Sequence, residues 1–206
     1  SKSITNVKVG KDGSTANYDF AGDVAEVLIF DRQLTTEEDE QVEGYLAHRW
    51  GAADTLAPDH TYKDVPPIFD NSPKITIKDY ITDVGAAEVA NIVKQDDMLG
   101  WWKFDDDTAN DSSGNGYHGV ASASSIYNAD TPTGSGKSVN LNGNKYVSVS
   151  DGGNQSTFDG KTAFSIVSWV KEWPDGSWEP FISKRGEGNG WQMRRRGGDQ
   201  TNTSFT

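Results

Sequence analysis

Read as a pattern of apolar and polar positions, the chain predicts many short strands and one clear helix. Ile4 to Val9 alternates weakly and ends at a Lys11-Asp-Gly-Ser-Thr15 turn. Val24 to Phe30, VAEVLIF, is β-prone and almost continuously apolar, the pattern of a central strand. Leu99 to Phe104 carries aromatics on both sides of an extended run. Ser138 to Leu141, Tyr146 to Ser150, Phe164 to Val170, Phe181 to Lys184 and Gly190 to Arg194 read as further strands between glycine-rich turns. Leu141-Asn-Gly-Asn144 predicts a hairpin joining two of them. Trp169 and one of Trp101 and Trp102 are expected in the core.

The helix is announced by Thr35-Thr-Glu-Glu38, a capping box in which Thr35 caps the backbone and Glu38 reaches back. The spacing predicts a helix over Thr36 to Arg49, with Val42, Tyr45, Leu46 and Trp50 on one face and Gly51 as its stop. Val65-Pro-Pro67 ends regular structure and marks a boundary. Beyond it, Lys74 to Ile81 alternates like a strand, and Asp83 to Lys94 has mixed helical spacing.

Two stretches carry a family resemblance. GWWKFDDDTANDSSGNGYHG, Gly100 to Gly119, resembles the opening of a bacterial laminin-G-like domain of the concanavalin A-like lectin and glucanase superfamily. GDVAEVLIFDRQLTTEEDEQVEGYLAHRWG, with the continuation LAPDHTYKDVPP, is similar to the closing segment of such domains in large bacterial surface proteins. The family's WHHVA…YVDG middle strands are missing. The resemblance implies a mainly β fold, an antiparallel jelly-roll β-sandwich with one short helix. It divides the chain into the end of one domain (1–67), a connector (68–97) and the beginning of another (98–206). It also implies a piece of a longer extracellular or surface-attached bacterial protein, with carbohydrate-binding or adhesive function, the alternative being a structural repeat that assembles with neighbouring domains.

Composition narrows the partners. A net charge of -12 opposes nucleic acid, whose binding requires clustered Lys and Arg, and opposes an anionic membrane surface. The chain has no cysteine, so disulfides and thiolate metal sites are excluded. No apolar run reaches the length of a membrane span.

Catalytic motifs are not found. The glucanase branch places two carboxylates across the glycosidic bond on a Glu-x-Asp-x-x-Glu strand, which this sequence lacks. Glu179 and Glu187 lie in expected loops without a carboxylate at β spacing, and His118 beside a glycine turn reads as a structural histidine. The reading is therefore non-catalytic. For a cation, Asp105, Asp107, Asp111 and Asn115 offer hard oxygens within one turn-rich loop, the ligand type Ca2+ takes. A solvated acidic loop with Asp111 in an Asx-turn is the plainer alternative. For a sugar, Trp173 and Trp178 offer an aromatic platform, with Arg194 and Arg196 as planar donors. Packing of the tryptophans and snorkelling of the arginines explain the same residues without a ligand.

The expected partners are glycans or neighbouring protein domains. One expectation concerns assembly. Neither half can bury its apolar faces alone, so Val24 to Phe30 should pair with Leu99 to Phe104 or its neighbour, within the chain or between strand-complemented copies.

Overall fold

The computed structural model describes residues 6–11, 19–67, 97–131, 133–150, 163–171, 179–186, 189–195 and 203–205. In chain order the strands are β1 (Asn6–Val9), β2 (Asp23–Phe30), β3 (Met98–Trp102), β4 (Gly119–Ala121), β5 (Tyr127–Asn128), β6 (Ser138–Asn140), β7 (Val147–Ser150), β8 (Ser165–Lys171), β9 (Pro180–Gly186), β10 (Asn189–Arg195) and β11 (Thr203–Phe205). The α-helix α1 (Thr36–Arg49) lies between β2 and β3 in sequence. Among the described residues it is the single α-helix. The expectations for Lys74 to Lys94 fall outside the described residues.

β2 organises the first sheet. All eight of its residues are buried. Asp23 and Val24 pair with both β6 and β8, so those strands lie on opposite edges of β2. Val27 to Phe30 pair with both β3 and β8. β3 and β6 therefore share one edge, end to end, and β8 runs along the other. The expected pairing is within the chain: Val27 stands opposite Trp102 and Leu28 opposite Trp101. β5 adds beyond β6 to give five strands.

The second sheet has six strands in the order β11-β10-β9-β1-β7-β4. The short strand β1 is again internal, paired along its length with β7 and through Lys8 and Val9 with β9. Every strand pairing described is antiparallel. Side chains from both sheets meet in one core, as in a β-sandwich: Val7, Val9, Val147, Val149 and Ile182 from one, Val24, Val27, Ile29, Trp102 and Val139 from the other. A side chain of this kind, fully buried, contributes about 1.5–3 kcal/mol.

The compact units divide the chain differently from the expected segments. One unit joins Ser1–Gln33 to Met98–Thr206, and the other is Leu34–Asp97. The boundary expected at 67 falls inside the second unit.

Two further expectations are corrected. β6 and β7 do not form a hairpin, because they belong to different sheets. Gly143 and Asn144 have the positive φ values (77° and 64°) that a tight hairpin turn would use, but fully buried Leu141 is drawn into the core and the chain crosses to the other sheet. Trp169 is not in the core. Cross-strand neighbours share a sheet face, and Trp169 stands opposite Glu26, on the face away from Val24, Val27 and Ile29. Its strand is apolar on both sides, so alternation did not reveal which side faced inward. Trp101 and Trp102 are both buried, on opposite faces of β3, and only Trp102 belongs to the core cluster.

In the second unit, α1 has the predicted bounds. Thr35 Oγ1 accepts from the Glu38 N–H (3.3 Å), and Glu38 Oε2 accepts from the Thr35 N–H (2.9 Å), completing the capping box. The segment after the helix folds back along it. His48 Nε2 bonds the Tyr62 carbonyl (2.7 Å), and Thr61 donates to Glu40 (2.7 Å). The Lys63 ammonium gathers the carbonyls of Ala53, Asp54 and Leu56. His60 Nδ1 accepts the Tyr62 N–H at 3.1 Å.

The Trp102 ring lies back along its own strand over Gly100, where any Cβ would collide with it. Replacing Gly100→Ala should therefore destabilise the chain by about 1–3 kcal/mol, the usual cost of overpacking. A denaturant midpoint equal to that of the parent protein would show that the ring relaxes freely.

Candidate functional site

Within the acidic loop expected to hold a cation, Asp111 and Asn115 make close contacts with the fold. Asp111 lies in the loop that follows β3, and both its oxygens are engaged. Oδ1 accepts the backbone N–H groups of Trp101 (3.0 Å) and Ser113 (2.9 Å). Oδ2 accepts the Ser113 hydroxyl (2.8 Å) and the Tyr117 N–H (3.0 Å). The Asp111 N–H donates to His118 Nδ1 (3.1 Å), the structural histidine read from the sequence. Asn115 donates through Nδ2 to the carbonyls of Met98 (2.6 Å) and Leu99 (3.3 Å). The Asp-Ser-Ser-Gly-Asn-Gly stretch is thus a clamp along β3, and Asp111 forms the Asx-type bond to Ser113 that its plainer reading required.

Asp107 and Asp106 have partners of their own. Asp107 pairs with Lys137 (3.5 Å), and Asp106 accepts from the Thr108 hydroxyl and N–H. Burial, then the carboxylates of Asp106 and Asp107, push the Tyr127 phenol above its ordinary range. Among the described residues, no group of three or more His, Cys, Asp or Glu side chains is placed to hold a metal ion.

Of the residues expected to bind sugar, Trp173, Trp178 and Arg196 lie outside the described residues. Arg194 is half-buried on β10 and alternates onto the same face as Gln192. That face is the outer side of the six-stranded sheet, opposite the core. Register places a row of directly opposed residues across it: Val120, Ser148, Lys8, Ser183 and Gln192, from β4, β7, β1, β9 and β10. Ser183 and Gln192 are buried, and the Ser183 hydroxyl donates to the Lys11 carbonyl (2.5 Å). The other end is open. Val120 is 71% exposed, Ser150 is exposed, and Asn6, Lys8, Tyr146 and Ser148 are partly so. Lys8 and Lys11 hold their ammonium groups 5.6 and 5.3 Å from the centre of the Tyr146 ring, and Lys11 pairs with Asp19 at 3.6 Å.

Sequence reading passed over this surface, although its signal was present. Lys8 sits between Val7 and Val9, and Tyr146, Ser148 and Ser150 alternate with Val147 and Val149, so both strands declare a polar face. What alternation lacked was the register that sets the two faces side by side. Strand spacing is about 4.8 Å, so the open part from β4 to β1 spans roughly 10 Å. It presents hydroxyls, an amide and an ammonium beside one aromatic ring.

Comparison with protein-family models, with curated proteins and with solved structures finds no match for this chain. No helix among the described residues is long and apolar enough to cross a membrane.

Asp111→Ala removes four acceptor contacts at once and leaves buried donors without partners, a loss of about 1–3 kcal/mol for each group left unsatisfied. The melting temperature should fall by the same amount with and without chelator. A fall seen only in calcium-containing buffer would restore the cation reading of this loop.

Proposed function

We propose that this chain is a non-catalytic carbohydrate-binding module of jelly-roll type from an extracellular bacterial multidomain protein. The observation that supports this most is the open, polar outer face of the six-stranded sheet around Lys8, Tyr146, Ser148 and Ser150. A saccharide has a hydroxyl rim and apolar ring faces, and it is recognised by a few placed polar groups beside apolar or aromatic surface. Here Asn6, Ser148 and Ser150 supply the polar groups, Lys8 adds a charged donor, and Tyr146 with exposed Val120 supplies apolar surface. The non-catalytic part of the reading rests on the missing carboxylate strand. It is also supported by the buried carboxylates Glu26, Asp23 and Asp111, each engaged in the fold.

A glycan array on the full chain tests this. Binding should be found, and the double substitution Lys8→Ala with Ser148→Ala should weaken it by about thirtyfold or more, the sum of a charged hydrogen bond (at least about 1.5 kcal/mol) and a neutral one (at least about 0.5 kcal/mol). Stability should change by less than about 0.5 kcal/mol per site, since both side chains are partly exposed. An array without binding, or affinity unchanged by the double substitution, would remove this surface as the site.

A further inference from the structure

We propose that the segment bearing β1 and β2 exchanges between copies of this chain, so that residues 1–33 of one copy complete the sheets formed by residues 98–206 of another. This inference does not depend on glycan binding. It starts from where the two strands lie. β1 fills the gap between β7 and β9, and β2 fills the gap between β8 and the broken β3/β6 edge. Without them the six-stranded sheet separates into β11-β10-β9 and β7-β4, and β8 loses its partner. The remaining strands therefore form a receptor with two slots, each lined by unpaired backbone groups and apolar side chains. Such edges accept an extended segment by strand addition.

The occupant is specified more narrowly than any apolar strand. Val7, Val9, Phe20, Val24, Val27 and Ile29 all enter the shared core. Polar pairs then fix the register. Glu26 Oε1 accepts from Trp101 Nε1 at 2.6 Å, both residues being buried. Asp23 Oδ1 accepts from Asn128 (2.8 Å) and Asn140 (3.0 Å), and the Ser168 hydroxyl donates to the Glu26 carbonyl (2.7 Å). A strand without Asp23 and Glu26 in these places would leave buried donors unmatched. The fitting partner is thus a second copy of this chain.

The connection joins two register partners. β2 reaches the rest of its sheet only through Leu34–Asp97, which leaves after Phe30 and returns at Met98, its cross-strand partner. Contacts between segment and receptor are the same within one chain or between two. The balance is set by the effective concentration that the connection imposes, and a chain concentration on the order of mM is where exchange should become visible. Closed monomers should dominate in dilute solution, and exchanged dimers should form when chains fold together near that concentration.

The chain has no cysteine, so single cysteines report the exchange cleanly. Asn6 and Ser150 are register partners on the accessible face, where cross-strand Cα atoms lie about 4.5–5.5 Å apart, within disulfide reach. Two variants of the full chain, Asn6→Cys and Ser150→Cys, are unfolded in denaturant, mixed and refolded at about 1 mM under oxidising conditions. A disulfide-linked dimer of both variants is expected, with twice the 22.4 kDa mass of one chain. It should disappear on refolding under strong dilution. The double variant should close the same bond within a monomer, which shows that the pair can be bridged. The unmodified chain, refolded at about 1 mM, should itself contain dimer by light scattering. A strictly monomeric unmodified chain would overturn the proposal. So would a dimer in which the two cysteines fail to join although the double variant closes.

Discussion

The burial of β2 is the constraint from which the rest of the structure follows. An eight-residue strand with Val24, Val27, Leu28, Ile29 and Phe30 fully buried cannot stand at an edge. Its backbone groups on both sides must be paired, because an unpaired buried N–H or C=O costs about as much as a lost hydrogen bond. The partners are β3, β6 and β8, all from beyond residue 97. One strand near the start of the chain thereby commits the distant second half to its place. The same logic applies to β1, which is too short to form a sheet and is stable only between β7 and β9. Glu26 is the polar counterpart of this burial. Its carboxylate sits fully buried inside the first unit, satisfied by the Trp101 indole among its contacts, and links β2 to β3 through side chains as well as through the ladder.

The ends of the strands are managed by short polar loops. β3 has β2 on one side and the Asp111 loop on the other, where a carboxylate and Asn115 stand in for a further strand by bonding Trp101 N–H and the Met98 and Leu99 carbonyls. The loop is tied down at its far end as well, since Trp102 Nε1 donates to the Tyr117 carbonyl (2.9 Å). A covered edge no longer invites pairing with a foreign strand. The acidic residues that resemble a ligand set are thus divided between edge protection, a surface ion pair and local turns. On the outer face of the six-stranded sheet, strand register gathers hydroxyl, amide, ammonium and aromatic groups.

The sequence by itself determined much of the local structure. The capping box and the stop at Gly51 bound α1, because caps act over a few residues and their partners are neighbours in the chain. Alternation at Val7 to Val9 and Val147 to Ser150 marked strands with one apolar face, and the continuous run Val24 to Phe30 marked a strand buried on both. Even the pairing of β2 with β3 was legible, since two incomplete apolar halves must complete each other. Tertiary structure alone decided the rest. It sent β6 and β7 to different sheets, although Gly143 and Asn144 carry turn chemistry, because burying Leu141 outweighs local turn preference. It turned Trp169 away from the core, in a strand whose two faces look alike in sequence. It assigned Asp111 to the backbone of Trp101, a partner that loop composition cannot name. It also set Lys8 beside Ser148, because register is a long-range property. Residues that share a face are known from one strand, but residues that share a site are known only when the strands are placed together.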